Sequence, residues 1–79
     1  MKVELRLYAS LTRYLPEKRD GHVCILEIEP GTPIRDLFSK LSVPPEIPKI
    51  IFLNGVHAKG DEILKEGDRV GVFPPVAGG

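Results

Sequence analysis

One stretch of the chain keeps a helical period over about two turns. Ile34, Leu37, Phe38 and Leu41 fall at i, i+3, i+4 and i+7, which places them on a single apolar stripe. The punctuation around the stripe agrees with a short amphipathic helix. Pro30-Gly31 turns the chain, Thr32 offers a side-chain oxygen as N-cap, and Pro33 at the first helical position gives up no hydrogen bond. Residues 42–48, with Pro44, Pro45 and Pro48, end the helix and bridge to the next apolar run. Asp36 and Lys40 form an i,i+4 pair on the exposed side. One stripe cannot bury itself, so the rest of the chain must supply the surface it covers.

Most of the remaining pattern has a period of two, the mark of strands. Residues 2–8 alternate, with Val3, Leu5 and Leu7 facing a core. Residues 9–15 allow one helical turn before Pro16, and residues 17–21 read as a loop. In residues 22–29, Cys24, Leu26 and Ile28 point inward, and Val23 and Ile25 point to the other face. Residues 49–53 lead into Asn54-Gly55, the strongest short hairpin signal, with a short return strand over residues 56–59. Residues 61–66 can hold a brief helical turn, Gly67-Asp68 turns again, and residues 69–73 form a last strand. With Ile51, Leu53, Val70 and Val72 inward, Phe52 and Phe73 share the outer face.

The order is thus strand, strand, helix, strand, short strand, strand. That is the plan of an α+β, β-grasp (ubiquitin-like) fold: a mixed sheet of four to five strands with one main helix across one face. The right-handed crossover rule lets the last strand lie parallel to the first, in the middle of the sheet. A length of 79 residues sets the expectation of a single domain over residues 1–79, too small for an enclosed active site.

Composition removes several classes of function. Lys plus Arg and Asp plus Glu number eleven each, with no basic block, which argues against nucleic acid as partner. The longest apolar run, residues 50–53, is too short for a bilayer, and the alternating N-terminus does not read as a signal peptide, so no membrane partner is expected. A single cysteine, Cys24, suits a reducing, cytoplasmic location and reads as a small core residue. His22 and His57 lack the spacing of a metal pair, and no P-loop is present, so no metal, ATP or other cofactor is expected on the chain itself. Lys59, Lys65 and Arg69 are available to an acidic partner surface, although most such charges are simply solvated.

Reactivity is then left to the end of the sequence. Pro74 and Pro75 stop the last strand and aim residues 74–79 away from the body, a reach of roughly 20 Å at full extension. Gly78 and Gly79 have no Cβ and can pass a channel too narrow for other residues. The Gly79 carboxylate is a poor electrophile. Adenylation by an ATP-using partner would make it an acyl-AMP anhydride, and attack by a sulfur donor would give a thiocarboxylate able to deliver sulfur.

The ending Phe73-Pro74-Pro75-Val76-Ala77-Gly78-Gly79, the preceding Glu66-Gly67-Asp68-Arg69-Val70, Leu53-Asn54-Gly55 and Tyr8-Ala9-Ser10-Leu11 resemble the MoaD/ThiS family of ubiquitin-like sulfur carriers. The resemblance spans essentially the whole chain and is nearest to the MoaD branch, the small subunit of molybdopterin synthase. It implies a carrier and not an enzyme, with catalytic residues in the large synthase subunit. Gly79 would be adenylated by an enzyme resembling the ubiquitin-activating type, thiocarboxylated from a sulfur donor, and used to build the molybdopterin dithiolene. Gly78 would thread the partner's channel, and Phe73, Pro74, Pro75, Val76 and Phe52 would contact the partner. Sulfur carriage for thiamine thiazole synthesis and a ubiquitin-like protein modifier are the alternatives. The proline-rich residues 44–48 depart from the family pattern.

Overall fold

In a computed structural model describing residues 1–75, alternating residues build five strands around one helix. The elements in order are β1 (Lys2–Leu7), a 3-10 helix (Ala9–Tyr14), β2 (Val23–Glu27), α1 (Ile34–Lys40), β3 (Ile50–Leu53), β4 (Val56–Ala58) and β5 (Arg69–Phe73). The sheet order is β2-β1-β5-β3-β4. β1 and β2 pair antiparallel, β5 lies parallel to β1 and antiparallel to β3, and β4 closes the far edge. This is the β-grasp arrangement, with the last strand in the middle.

Val3, Leu5, Leu7, Cys24, Ile51, Val70 and Val72 face the helix and are buried against Ile34, Leu37 and Phe38. Each fully buried aliphatic side chain here contributes about 1.5–3 kcal/mol by leaving water. Leu41, the last position of the helical stripe, caps α1 and is only partly buried. Leu11 and Leu15 join the core from the 3-10 helix and the residue after it, and Leu64 joins it from the segment before β5.

Asn54 and Gly55 turn β3 into β4 with φ of 52° and 84°. Both values are positive, as a two-residue type I′ turn requires, and glycine takes its value without steric cost. Asn54 also reaches across the fold. Its side-chain oxygen accepts from the Arg69 N–H at 2.9 Å and its Nδ2 donates to Asp68 Oδ1 at 3.0 Å. The hairpin thereby clamps the start of β5.

Three local expectations give way to other contacts, the first to a local turn and the other two to tertiary partners. Thr32 does not cap α1: its hydroxyl donates to the Glu29 carbonyl at 2.6 Å, and extended Pro33 takes the N-cap position. Residues 61–66 are not helical. Ile63 bridges to Pro33, and the Leu64 N–H donates to the Thr32 carbonyl at 2.9 Å, so the segment runs extended beside the entry to α1. Asp36 and Lys40 make no ion pair among the described residues, and Lys40 Nζ instead donates to the Glu27 carbonyl at 3.2 Å. In each case a different partner displaces the one that local rules favour.

Candidate functional site

The outer face of the sheet carries the side chains that alternate with the core. Along β1 these are Glu4 and Arg6, with Tyr8 just beyond the strand; along β5, Arg69, Gly71 and Phe73; and on β3, Ile50 and Phe52. The register sets Arg6 beside Gly71, Gly71 beside Phe52 and Phe73 beside Ile50. Gly71 has no side chain, so the middle of this face is a dip, and the Tyr8 and Phe73 rings reach to within about 4 Å of where a Cβ would stand.

Phe73 lies at the centre of the aromatic group. It stacks on Tyr8 with centroids 4.4 Å apart and an interplanar angle of 2°, and meets Phe52 edge-on at 6.0 Å. His22 lies 4.6 Å from Tyr8, and His57 lies 5.8 Å from Phe52, extending the row on both sides. Such pairs contribute about 0.5–1.5 kcal/mol each beyond simple burial, so Phe73 is held in position although it remains 37% exposed. The Tyr8 N–H donates to the Val72 carbonyl at 3.1 Å, fixing Tyr8 beside the end of β5. Ala9 comes next with a φ of 52°, a left-handed conformation costing about 1–2 kcal/mol for an L-residue. That turn swings the chain off the sheet directly after Tyr8.

Two open hollows flank the Phe73 ring. One, about 530 Å³, is lined by Tyr8, Ala9, Ile50, Phe52, Phe73, Pro74 and Pro75 and is almost wholly apolar. The other, about 310 Å³, adds Arg6 and Arg69 around Gly71. Glu4 accepts from Arg6 Nε at 2.6 Å and pushes the guanidinium pKa further up, so Arg6 is charged at any working pH. The face is therefore apolar where the chain leaves the sheet and charged one step inward, where the Arg6–Glu4 pair and Arg69 lie.

Of the residues singled out from the sequence, Phe52, Phe73, Pro74 and Pro75 come together at one hollow. Val76, Gly78 and Gly79 lie outside the described residues. Tyr8, Ile50 and Gly71 belong to the same surface; from the sequence Tyr8 stands only in the family resemblance, and none of the three is assigned to a contact site. Tyr8 sits at the outward parity of β1, the signal that marks Phe52, but its neighbour Phe73 is 65 positions away, and only the β1–β5 register joins them. Cys24 lies in the core at 4% exposure, and burial pushes its thiol pKa up, away from reactivity. Ile25 is 60% exposed on the outer face, as its parity requires. Among the described residues no group of three His, Cys, Asp or Glu side chains is close enough to hold a metal ion. No helix among them is long and apolar enough to cross a membrane.

The geometry has counterparts. SAMP1 from Haloferax volcanii has the same fold, with a TM-score of 0.73 at 19% identity over 100% of both chains. A Pyrococcus furiosus protein, provisionally described as molybdopterin converting factor subunit 1, superposes with a TM-score of 0.69 at 27% identity, over 95% of this chain and 98% of its own. A chain in the complex of subunits 1 and 2 of the molybdopterin-converting factor from Helicobacter pylori matches with a TM-score of 0.62 at 24% identity over 100% of both chains. No curated protein sequence matches the chain. The model of the ThiS family matches residues 15–79, most of the sequence. The chain belongs to the ThiS family, the ThiS/MoaD group of small ubiquitin-like sulfur carriers.

Proposed function

We propose that the chain, acting as one carrier domain over residues 1–79, holds sulfur on the Gly79 carboxyl group for the dithiolene of a molybdopterin-type cofactor. The observation that carries this reading is the placement of Phe73. β5 is hydrogen-bonded on both sides, by β1 and β3, and ends at an aromatic residue stacked on Tyr8. Pro74 and Pro75 then leave the sheet from a fixed base beside an apolar hollow. A carrier needs this arrangement: a partner grips the aromatic face, and the chain beyond it is presented at a constant position. The 27% identity to the Pyrococcus protein supports the molybdopterin branch.

In this mechanism an ATP-dependent adenylyltransferase, resembling the ubiquitin-activating type, binds the face around Phe73 and Phe52. The Gly79 carboxylate attacks the α-phosphorus of ATP, pyrophosphate leaves, and an acyl-adenylate remains. A hydrosulfide equivalent from a sulfur donor then attacks the acyl carbon. A C–S bond forms, the bond to AMP breaks, and the product is a thiocarboxylate. The chain supplies no acid, base, metal or bound cofactor to these steps. Pro74, Pro75 and Val76 guide the tail, and Gly78 passes through the narrowest part of the large synthase subunit, where sulfur is transferred to the pterin precursor. The reducing cytoplasm is the setting that suits both the thiocarboxylate and the single thiol of Cys24.

The test is intact mass spectrometry of the chain after incubation with the activating enzyme, ATP and sulfide, followed by addition of large subunit and pterin precursor. Exchange of one oxygen for sulfur, lost again when dithiolene forms, is the expected result. Loss of sulfur only to a thiazole-forming enzyme would move the chain to the thiamine branch. Isopeptide-linked conjugates in place of a free thiocarboxylate would make it a protein modifier. Deletion of Gly79 with full retention of transfer would reject the tail mechanism altogether.

A further inference from the structure

A second surface lies on the helix side of the sheet, away from Phe73. It is a cleft of about 470 Å³ between α1, the proline-rich residues 44–48 and the ends of β3 and β4. Its apolar lining includes Phe38, Ile47 and Ile51, and its cationic side chains are Arg35, Lys49 and Lys59; Asp36 is the one acid lining it. The whole chain has equal numbers of acids and bases, so composition does not impose this local excess of positive charge.

The cations are held on a braced frame. The Arg35 N–H donates to the Gly60 carbonyl at 2.9 Å and the Ile34 N–H to the Glu62 carbonyl at 3.0 Å, tying the first turn of α1 to the segment after β4. The Glu62 carboxylate accepts from the Lys59 and Gly60 N–H groups at 2.9 and 2.8 Å, which also lowers its pKa. Lys49 Nζ is fixed by the Ile47 carbonyl at 2.7 Å and lies 5.3 Å from the centroid of the Phe38 ring. Among the described residues, the side chains of Arg35 and Lys59 make no hydrogen bond or ion pair with the protein. Two cations without a direct hydrogen-bond or ion-pair partner among the described residues and one immobilised cation thus surround an apolar floor. The Glu62 carboxylate is near enough to feel the Lys59 charge.

We propose that this cleft docks an acidic segment of a partner protein, with one apolar side chain on the Ile47–Ile51 floor and flanking carboxylates on Arg35, Lys49 and Lys59. Charge complementarity selects an acidic segment over a neutral or basic one, and the apolar floor selects a peptide over a free anion. Ile51 and Phe52 point to opposite faces of β3, so a partner seated here leaves the aromatic face open. A protein could hold the carrier from behind while another acts on its tail. Docking at this cleft does not depend on what the tail carries.

The probe is a short synthetic peptide of alternating glutamate and leucine, titrated into the isotope-labelled full chain and followed by amide chemical shifts. Saturable shifts at Arg35, Ile51, Lys59 and Gly60, with Tyr8 and Phe73 unmoved, are expected. The Arg35→Glu, Lys59→Glu double variant should keep its remaining spectrum, because both residues are exposed, and bind about tenfold more weakly. Salt at ~1 M, where the Debye length is about 3 Å, should weaken the wild-type complex by about as much. Any of four results overturns the proposal: no saturable shift at these residues at millimolar peptide, shifts centred on Phe73, equal response to phosphate alone or to a lysine–leucine peptide, or the same shifts from self-association without peptide.

Discussion

Val3, Leu5 and Leu7 alternate along β1 with Glu4 and Arg6, and Val70 and Val72 alternate along β5 with Arg69, Gly71 and Phe73. The inward set is at most 1% exposed, under α1, while Phe73 on the outer face is 37% exposed. The same two strands therefore present one face packed against the helix and another packed only partly, by aromatic rings lying over a glycine. Burial on the helix side is complete enough to hold the fold. Packing on the outer side is sufficient to fix Phe73 and insufficient to hide it. The difference indicates where stability resides and where a partner has something left to bury.

Substitutions that strike one face and spare the other test this division. Leu5→Ala, on the packed face, should have the largest effect, a loss of about 2–5 kcal/mol in urea unfolding through lost transfer energy and an unfilled cavity. Its affinity for the large partner should be unchanged while the chain remains folded. Phe73→Ala should invert the pattern, weakening partner binding by about 2 kcal/mol, as central aromatic residues do, and lowering stability by about 1 kcal/mol. Calorimetry with the proposed large-subunit partner, run beside urea melts, reads both quantities. Equal losses in stability and affinity for either variant would erase the distinction.

Gly71→Ala sharpens it further. A Cβ there would meet Phe73 and Tyr8 ring atoms at 3.9 and 4.0 Å, ordinary contact distances. The variant should be as stable as the parent or gain up to about 1 kcal/mol in urea melts, since glycine within a strand carries an entropic penalty. The filled dip should still weaken partner binding. A stability loss would show that the dip is needed for packing and not for recognition.

The smallest effect belongs to Cys24, a titratable group on the packed face. Burial raises its folded pKa above its unfolded value. Its contribution is therefore fully present below the unfolded pKa and is lost as pH rises through the folded one, because only the unfolded chain then gains from ionising the thiol. Unfolding free energy should decline on the alkaline side of the ordinary thiol range, and Cys24→Val should flatten that limb. A pH–stability profile of both proteins measures the difference, and identical alkaline slopes would place Cys24 outside the packed face.

Much of this was legible locally. Alternation assigned Val3, Leu5, Leu7, Ile51, Val70 and Val72 to the core, and the same parity put Phe52 and Phe73 together on the other side. The positive φ pair of Asn54 and Gly55 follows from the two residue types alone. These features depend on neighbours within a few positions, and sequence carries that information directly.

Other features depend on groups brought together as the chain folds, and there local rules lost. Residues 61–66 had a helical option but paired with the entry to α1, and Lys40 had Asp36 one turn away but bonded the Glu27 carbonyl on β2. Tyr8 joined Phe73 only because β1 and β5 adopted one particular parallel register. By itself the sequence determined which residues face inward, because strand and helix periods are short-range properties of the backbone. Tertiary structure decided which outward residues meet to form the aromatic face and the basic cleft, because those contacts exist only after distant strands have paired.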